Sequence, residues 1–493
     1  MKWTLRFCDA MNPRLIAKII GLLLLVSSFM MLPPALIGLI YKDGHFWPFL
    51  EGFGVLALIG ALPFFLYRNI DAELKIRSGF LVVGASWLIV GLAGSLPLYL
   101  SDVLNLSLTD AIFESISGLT TTGATILTDI ESIPHSIKFY RQQLQWFGGM
   151  GIIVLAVAVL PMLRIGGMQM FRAETPGPMK DQKLTPRITE TAKALWYIYL
   201  GITVMCTLSY YMAGMNMFDA ICHAFSTISI GGFSTHDESM GYFNNSLIEM
   251  IAVIFMVIAG VNFASHFLAW KSASIRTYLV DTEVKVFIGF LAVASAITSF
   301  QLYVTGTSDS LYESIRQGTF QAVSVGTTTG FTTESFYLWP GALPLLLILF
   351  ATIGGCAGST AGGFKVIRMI LLFKMSMREL YRLIHPHGKY LVKINGKTVN
   401  YRVLDSVSAF FVQFLFLMCV FTLLLASMGE DLTTAVSTTL ACLTNLGPAL
   451  GDAGANYADI SDGGKSILAI AMIFGRLELF TLFILLIPAY WEF

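Results

Sequence analysis

The chain has 493 residues, of which 55% are apolar or aromatic and only 13% are Asp, Glu, Lys or Arg. This charged share is about half that of a soluble protein, and too few polar residues remain to cover a soluble surface. The composition excludes a soluble globular protein and predicts a polytopic membrane protein. The net charge is zero, so bulk charge says nothing about partners, and we expect the lipid bilayer and no nucleic acid. The six scattered cysteines form neither a disulfide framework nor a CxxC metal motif.

Ten apolar segments follow one another along the chain, each near the roughly 20 residues that a helix needs to cross a bilayer. In order they are 14–40, 47–67, 76–100, 141–163, 190–213, 246–270, 284–305, an interrupted 341–378, 403–428 and 464–490. If the spans alternate from a cytoplasmic N-terminus, 25 of the 31 Lys and Arg residues lie in cytoplasmic segments, as the positive-inside rule requires. We therefore expect a multi-pass protein with both termini in the cytoplasm. The first 20 residues lack a small-residue cleavage site, so they indicate the approach to the first helix and not a removable signal.

Four outer loops share one pattern, a semi-apolar stretch of about three helical turns followed by a short Thr/Ser/Gly segment. They read LTDAIFESISGLTTTGAT (108–125), MFDAICHAFSTISIGGFST (217–235), LYESIRQGTFQAVSVGTTTGFTT (311–333) and DLTTAVSTTLACLTNLGPALG (431–451). Their aligned glycines are 109, 98 and 117 residues apart, and a repeat of this length decides the architecture. We predict an all-α membrane protein with a two-helix preface (1–70) and four fused helix–pore-loop–helix repeats in a pseudo-fourfold arrangement. The repeats span 71–175, 176–275, 276–398 (with a broken inner helix) and 399–493.

The polar loops have a specific physical use if all four converge. Non-helical backbone at membrane depth is tolerated only inside protein or beside a water-filled cavity. A ring of four loops would present backbone carbonyls that replace the hydration shell of a potassium ion. Glycine suits such a loop because it reaches positive φ at low cost. The predicted ion-binding residues are Thr121, Thr122, Gly123, Ile230, Gly231, Gly232, Thr328, Thr329, Gly330, Asn445, Leu446 and Gly447. The alternative for any single loop is an ordinary turn or a small-residue helix contact.

The outer loops are also acidic. Residues 101–137, 214–246, 306–340 and 429–463 together contain 16 Asp or Glu and one basic residue, Arg316. An acidic outer mouth would raise the local concentration of cations. Acids also collect wherever the positive-inside rule excludes bases, so this pattern only supports the pore interpretation.

The segments TTTGAT (120–125), SIGGFST (229–235), TTTGFTT (327–333) and TNLGPALG (444–451) resemble the filter motifs of the Trk/Ktr/HKT superfamily of cation transporters. The resemblance covers residues 70–493, and the two additional N-terminal spans favour its bacterial TrkH/TrkG branch. It implies four fused potassium-channel-like units. All four filter positions hold glycine, which in this superfamily goes with potassium, whereas serine in the first repeat goes with sodium in some plant members. Potassium is therefore the expected substrate, bound at the filter residues.

The glycine-rich segment TIGGCAGSTAGGFKVIR (352–368) interrupts the eighth span and cannot hold a continuous membrane helix. The resemblance implies that it is a loop beneath the filter that gates the pore. The predicted gate residues are Gly354, Gly355, Gly358, Gly362, Gly363 and Arg476. A phosphate-binding loop is the alternative, but Phe364 stands where the Walker lysine is required.

Arg476 is a lone arginine within the last span, which makes it a functional candidate because an intramembrane charge is costly. The resemblance implies that it faces the cavity below the filter and adds a barrier to cations. The alternative is a structural pair with Glu478, although the two residues lie about 200° apart on one helix.

The largest cytoplasmic segment, 378–402, is basic, and the Asn-Gly pair in YLVKINGKTVNY predicts a β-hairpin. The resemblance implies a homodimer that works with a TrkA-like cytosolic nucleotide-binding ring. The chain contains no GxGxxG segment. We therefore expect no bound organic cofactor, and nucleotide only on the partner subunit.

These features predict potassium uptake across the bacterial cytoplasmic membrane. The alternative is a symporter that couples potassium to protons or sodium. Such carriers usually have two inverted repeats and intramembrane acids, so four repeats of one orientation favour a pore. An enzyme is not expected, because no span contains a His/Asp/Glu cluster. His223 and His266 stand alone in apolar stretches and are interpreted as packing residues.

Overall fold

The structure, a computed structural model, describes residues 12–70, 76–151 and 188–492. Expectations for residues 1–11, for 71–75 and for 152–187, which include the second half of the predicted span 141–163 and the boundary between the first two repeats, lie outside these ranges. Within them the secondary structure is almost entirely helical, with one two-stranded hairpin. The predicted all-α class is confirmed.

The N-terminal preface is built from three helices, α1 (Pro13–Phe29), α2 (Leu32–Tyr41) and α3 (Trp47–Leu66). The Asn12 side chain caps α1 by accepting a hydrogen bond from the N–H of Leu15. α1 and α3 approach to backbone contact, because a methyl group on Gly21 would lie only 2.7 Å from the carbonyl oxygen of Gly60. Small residues permit this approach between membrane helices.

The remaining described helices recur in one order: a long helix, a short helix that precedes the polar loop, the loop, and a further helix of 9 to 15 residues. The first group contains α4 (Ile76–Gly94), α5 (Leu96–Tyr99), α6 (Leu108–Leu119) and α7 (His135–Gly149). The second contains α8 (Ile188–Met212), α9 (Met217–Ser229), α10 (Ser246–Gly260), α11 (Phe263–Ser272) and α12 (Arg276–Val280). The third contains α13 (Thr282–Thr305), α14 (Leu311–Gly326), α15 (Leu343–Ala351) and α16 (Val366–Ile384). The fourth contains α17 (Tyr401–Ser427), α18 (Leu432–Thr444), α19 (Asp462–Arg476), α20 (Phe480–Leu486) and α21 (Pro488–Trp491).

The short helices α6, α9, α14 and α18 begin in the same way. In each, the side chain of the N-cap residue accepts a hydrogen bond from the N–H three residues later; these caps are Ser107, Asn216, Ser310 and Asp431. Such a cap satisfies one of the N–H groups that every helix start leaves unpaired. The common cap fixes where each short helix starts.

Six segments of the described chain are long and apolar enough to cross a membrane: Pro13–Tyr41, Trp47–Leu66, Arg77–Tyr99, Lys193–Met212, Thr282–Thr305 and Tyr401–Ser427. Two further pairs qualify only together, because α10 and α11 are bent by 94° and α19 and α20 by 115°. The sequence predicts continuous spans over 246–270 and 464–490, and the structure corrects both to bent pairs.

The helix that follows the polar loop ends early in every group, at Gly149, Gly260, Ala351 and Arg476. Local backbone chemistry explains the bends. Asn262 caps α11 by accepting from the N–H of Ala264 at 2.8 Å, and Glu478 and Leu479 have positive φ after α19. The end of α19 abuts a short helix, since a methyl group on Gly475 would lie 2.4 Å from the Leu443 carbonyl oxygen in α18.

Ion pairs join neighbouring groups at the same side as the short-helix N-termini. Lys465 of the fourth group lies 2.7 Å from Asp110 of the first, and Arg316 of the third lies 2.6 Å from Glu249 of the second. Partly buried pairs of this kind cross-link groups that are distant in sequence.

The predicted hairpin is present between α16 and α17. Its strands β1 (Lys393–Ile394) and β2 (Lys397–Thr398) pair antiparallel, with Lys393 opposite Thr398. Asn395 and Gly396 form the turn with φ of 49° and 77°, which are values that an Asn-Gly pair accepts readily.

Candidate functional site

The loops after the four short helices have one backbone conformation. Two residues in each loop have positive φ, a non-glycine residue and then a glycine two positions later. These pairs are Thr121 and Gly123, Ile230 and Gly232, Thr328 and Gly330, and Asn445 and Gly447. The residue between them donates its N–H to the carbonyl five residues earlier at 2.8–2.9 Å in all four loops. Such agreement among four different sequences indicates a single structural role.

The four glycines contact each other's loops in cyclic order. A methyl group on Gly123 would lie 2.1 Å from the carbonyl oxygen of Gly231 in the second loop. The corresponding distances are 2.1 Å from Gly232 to Thr329, 2.3 Å from Gly330 to Leu446 and 2.5 Å from Gly447 to Thr122. The last contact returns to the first loop, so the loops form a closed ring. Real Cβ atoms do not approach backbone this closely, and each position therefore requires glycine.

The predicted ion-binding residues are thus brought together, but their threonine hydroxyls already have partners. Thr122 Oγ1 lies 2.7 Å from Thr120 Oγ1, and Thr329 Oγ1 lies 2.8 Å from Thr327 Oγ1. Asn445 Nδ2 donates to Thr122 Oγ1 at 3.0 Å and so links the fourth loop to the first. The hydroxyls therefore stabilise the loops, which leaves the backbone carbonyls as the principal candidate ligands.

Side chains outside the ring hold individual carbonyls. Gln145 Nε2 donates to the Gly231 carbonyl at 2.6 Å, while its Oε1 accepts from the N–H of Phe233 at 3.1 Å. In the fourth loop, the Tyr457 hydroxyl donates to the Gly447 carbonyl at 2.6 Å. The sequence alone did not identify Gln145 or Tyr457, because neither lies in a filter motif.

A fully buried ion pair braces the first loop. Arg141 Nε lies 2.7 Å from Glu114 Oε1, and Glu114 also accepts from the Thr125 hydroxyl at 3.0 Å. Arg141 continues to the second loop by donating to the Ser234 carbonyl at 3.3 Å. The positive-inside count treats Arg141 as an exception in an outer segment. Arg141 lies outside the four motif-bearing segments, at the first residue of the predicted span 141–163, so sequence reasoning missed its structural role.

A cavity of about 800 Å³ opens on the ring from the side of the ion pairs between groups. Its lining includes all four ring glycines, two arginines and the acids Asp237, Glu238, Glu249, Glu313 and Glu334. Asp129 and Glu131 lie close to Asp237 at this mouth. The excess of carboxylates makes the entrance attractive to cations.

The glycine-rich segment between α15 and α16 lies directly against the ring on the other side. The N–H of Gly362 donates to Thr328 Oγ1 at 2.7 Å, and the N–H of Gly363 donates to the Thr444 carbonyl at 2.9 Å. Thr360 Oγ1 donates to the Ile228 carbonyl at 2.9 Å. The segment therefore contacts three of the four short-helix ends or loops.

Backbone crowding explains the glycines of this segment. A methyl group on Gly362 would lie 2.0 Å from the Thr444 carbonyl oxygen, and one on Gly354 would lie 2.3 Å from that of Gly362. Gly354, Gly358 and Gly363 also have positive φ, which favours glycine. Gly355 packs against the side chain of Ala361.

Arg476 completes the contacts around the ring. Its NH1 donates to Thr121 Oγ1 at 3.1 Å and to the Thr360 carbonyl at 3.0 Å. Its NH2 donates to the carbonyls of Gly148 and Gly149 at 2.6 and 3.0 Å. Arg476 therefore joins the first loop, the glycine-rich segment and the end of α7.

Glu478, which the sequence offered as a structural partner of Arg476, forms an ion pair with Arg368 instead. Arg476 and Lys365 both line a cavity of about 140 Å³ below the ring. Lys365, which sequence reasoning missed, is 5% exposed and donates to the Ala361 carbonyl. Two basic side chains thus lie beside the ring, on the side of the glycine-rich segment.

Both histidines considered as packing residues have hydrogen-bond partners. His223 lies 2.9 Å from the Asp219 carbonyl and 3.0 Å from Ser234 Oγ. His266 lies 2.9 Å from the Tyr278 hydroxyl. Their interpretation as satisfied packing residues is confirmed.

Comparison with known proteins agrees over nearly the whole chain. The family model for the TrkH cation transport proteins matches residues 47–492. The Trk system potassium uptake protein TrkH of Halomonas elongata is 50% identical, with 98% of this chain and 100% of that protein covered. The TrkH protein of Vibrio parahaemolyticus is 51% identical with the same coverage. The TrkG protein of Escherichia coli is 38% identical, with 97% of this chain and 99% of that protein covered.

A solved structure shares the fold. The crystal structure of the potassium transporter TrkH from Vibrio parahaemolyticus superposes with a TM-score of 0.89 at 48% sequence identity, and the match covers 98% of this chain and 100% of that one. The predicted membrane-protein fold and the predicted family are confirmed. The chain belongs to the TrkH family of cation transport proteins, and it is a membrane transporter and not an enzyme.

Proposed function

We propose that this protein takes up potassium, with K⁺ as its transported substrate, through a selectivity filter made by the four-loop ring. The observation that carries this proposal is the cyclic contact of four glycines with identical backbone conformation. Backbone carbonyls arranged in rings can replace the hydration shell of potassium. Relatives named as potassium uptake proteins support the choice of ion.

The proposed filter uses the carbonyls of the three residues that end at each ring glycine. Two of these carbonyls, those of Gly231 and Gly447, also accept one side-chain hydrogen bond each, which leaves a second lone pair on each oxygen. The first loop supplies Thr121 to Gly123, and the other three supply the corresponding residues. Ile230 and Leu446 have no side-chain oxygen, and the threonine hydroxyls are occupied. Ligation by carbonyls explains why such different side chains serve one role.

The glycine-rich segment is proposed as the gate. It lies against the ring, and backbone hydrogen bonds and the bonds of Arg476 hold it there. With Gly354, Gly355, Gly358, Gly362 and Gly363 in it, the segment can change conformation with little steric cost. The charges of Arg476 and Lys365 would add a barrier to a cation below the filter.

The arrangement of the protein in the cell is also a proposal. The domain limits given above place one filter loop in each of four repeats, and the charge asymmetry supports cytoplasmic termini in the bacterial cytoplasmic membrane. The resemblance to the Trk/Ktr/HKT superfamily supports a homodimer with a TrkA-like nucleotide-binding ring at the cytosolic face. No organic cofactor is assigned to this chain.

Uptake of ⁸⁶Rb⁺ into liposomes containing the purified protein tests the proposed function. External potassium should compete with the tracer, and sodium at the same concentration should compete much less. Equal competition by both ions, or uptake no greater than in empty liposomes, would contradict potassium transport.

Tyr457→Phe is expected to lower the potassium-over-sodium permeability ratio a few-fold. The change removes one hydrogen bond to the Gly447 carbonyl, which contributes about 1 kcal/mol to the loop geometry. Tyr490→Phe is the matched control, because the Tyr490 hydroxyl also donates to a backbone carbonyl, but to that of Arg77, which is not part of the ring. Bi-ionic reversal potentials measure both ratios, and equal changes in the two variants would contradict a filter role for Tyr457.

Asp237→Asn is expected to slow rubidium uptake about twofold at low ionic strength, because one carboxylate fewer attracts cations at the mouth. The difference should disappear at high salt, where screening is strong.

Partial burial and the neighbouring Glu131 raise the pKa of Asp237. As external pH falls, Asp237 therefore binds a proton before an ordinary aspartate does, and low-salt uptake should fall more in wild type than in Asp237→Asn. Parallel pH profiles would contradict this role.

A further inference from the structure

Glu283 is a buried side chain at the start of α13 that contacts both the proposed gate and the helix that follows it. It is 7% exposed. Its Oε1 accepts from the N–H of Ala357 at 2.7 Å and from the N–H of Ile367 at 3.2 Å. Ala357 lies between α15 and α16, and Ile367 lies in the first turn of α16. One oxygen atom therefore connects the glycine-rich segment at Ala357 with the start of α16 at Ile367.

α16 lacks a cap of its own, which gives this contact a physical reason. Its N-cap residue, Lys365, has φ of 79° and no side-chain capping bond. The N–H groups of a first helical turn are unpaired without a cap, and the helix dipole favours a negative charge there. Glu283 supplies an acceptor for one of these N–H groups, that of Ile367, from another helix.

The two limbs of the gate also bond directly to each other at this point. The N–H of Lys365 donates to the Ile353 carbonyl, and the N–H of Val366 donates to the Gly355 carbonyl, both at 3.0 Å. We call this pair of bonds, between 353–355 and 365–366, the neck of the segment. The two hydrogen bonds of Glu283 lie beside it. Opening the segment away from the ring requires the neck to loosen, so the Glu283 bonds favour the observed position.

The same helix start is tied to the cytosolic hairpin. Asn395 Oδ1, at the hairpin turn, accepts from the N–H of Thr282 at 2.9 Å, and Asn395 Nδ2 donates to Asp281 Oδ1 at 3.3 Å. Lys374 of α16 donates to the Lys393 carbonyl of the hairpin at 2.6 Å. The hairpin thus contacts both α13 and α16, the two helices that Glu283 connects.

We infer that Glu283 is a positioning residue that latches the neck of the glycine-rich gate, and that Asn395 links this latch to the cytosolic surface. The inference rests on the proposed gate function of residues 352–365. It assigns to the hairpin a means of acting on the gate: displacing the turn disturbs the start of α13, and with it the carboxylate that holds Ala357 and Ile367.

Hydrogen–deuterium exchange of the full-length protein in lipid nanodiscs tests the latch without requiring transport. Glu283→Ala should speed exchange in peptides covering 355–368 about tenfold or more. The reason is that the N–H groups of Ala357 and Ile367 lose their acceptor, which weakens the structure around them. Rubidium uptake should rise about threefold with unchanged ion selectivity, as expected for a weakened latch. If Glu283→Ala does not fold, Glu283→Gln serves, since its neutral oxygen is a weaker acceptor and should give a smaller increase in exchange.

Asn395→Gly tests the link, because glycine keeps the positive φ of the turn while the side chain is removed. It should raise exchange at 355–368 in the same direction as Glu283→Ala, whereas Lys397→Ala, an exposed hairpin change, should leave exchange and uptake at wild-type values. Unchanged exchange at 355–368 in folded Glu283→Ala or Glu283→Gln would overturn the latch, and unchanged exchange in Asn395→Gly would overturn the link. Faster exchange without a change in uptake would instead contradict the gate role, while absence of wild-type uptake would contradict the transport proposal.

Discussion

Replacing Gly123 by serine is expected to lower the potassium-over-sodium permeability ratio about tenfold or more. A serine in this backbone conformation would introduce strain of about 1–3 kcal/mol, and the strain would distort the ring. Gly123 has φ of 81°, and a β-carbon there would lie 2.1 Å from the Gly231 carbonyl oxygen. The carbonyl must move to admit the side chain, and it belongs to the adjacent loop. Bi-ionic reversal potentials in planar bilayers measure the ratio directly.

Gly289→Ser is the matched control for this experiment. Gly289 lies within the membrane-spanning helix α13, and a β-carbon there would meet no atom within 4 Å. The control should keep the wild-type ratio and the wild-type melting temperature. An unchanged ratio in well-folded Gly123→Ser protein would remove the ring from the selectivity mechanism.

Arg476→Met is expected to raise rubidium uptake about tenfold in the absence of any partner ring. The change removes a fixed positive charge whose repulsion of a cation amounts to several kcal/mol before screening by water and nearby acids. It also removes the bond to the Thr360 carbonyl, at 3.0 Å, that holds the glycine-rich segment beneath the ring. Methionine approximately preserves the volume of the aliphatic part. Selectivity should change little, because the bond that Arg476 makes to the ring is to the Thr121 hydroxyl and not to a ring carbonyl.

Arg476→Lys separates the two contributions. Lysine keeps the charge but cannot reach the four acceptors that Arg476 bonds. Uptake near the wild-type rate in this variant would assign the barrier to charge, and uptake close to that of Arg476→Met would assign it to the lost bonds. Slower uptake in Arg476→Met protein of unchanged thermal stability would contradict both.

The ring glycines could be found from sequence because each combines two readable signals. Gly123, Gly232, Gly330 and Gly447 recur at similar intervals, and each stands in a polar segment between apolar helices. The residues two positions earlier carry no such signal. Thr121, Ile230 and Thr328 have positive φ, which non-glycine residues other than Asn and Asp rarely adopt. The tertiary contacts of the ring impose this conformation, and local propensity does not reveal it.

The bends after α10 and α19 could not be read from hydropathy. Segments 246–270 and 464–490 are predominantly apolar, and a change of direction at Asn262 or Glu478 leaves the mean hydropathy of each segment unchanged. The third group was recognised as broken only because glycine is concentrated there. The apolar composition of a segment indicates whether it can lie in the bilayer, but it does not indicate whether the helix is straight or bent.

The supporting residues were missed because their partners lie far away in sequence. Gln145 contacts Gly231 across 86 positions, and Glu283 contacts Ala357 across 74. A lone Gln or Glu near a helix end has no spacing pattern that would identify its acceptor or donor. Arg476 was found as a candidate only because an arginine in an apolar span is unusual.

The reversal potential of the wild-type protein, reconstituted in liposomes under separate potassium, sodium and proton gradients, tests the central claim most directly. The account predicts a reversal potential that follows the potassium gradient, shifts little with sodium and does not shift with pH. A reversal potential that moves with the proton or sodium gradient at fixed potassium would indicate a coupled symporter. That result would contradict a four-loop potassium filter as the pathway of uptake.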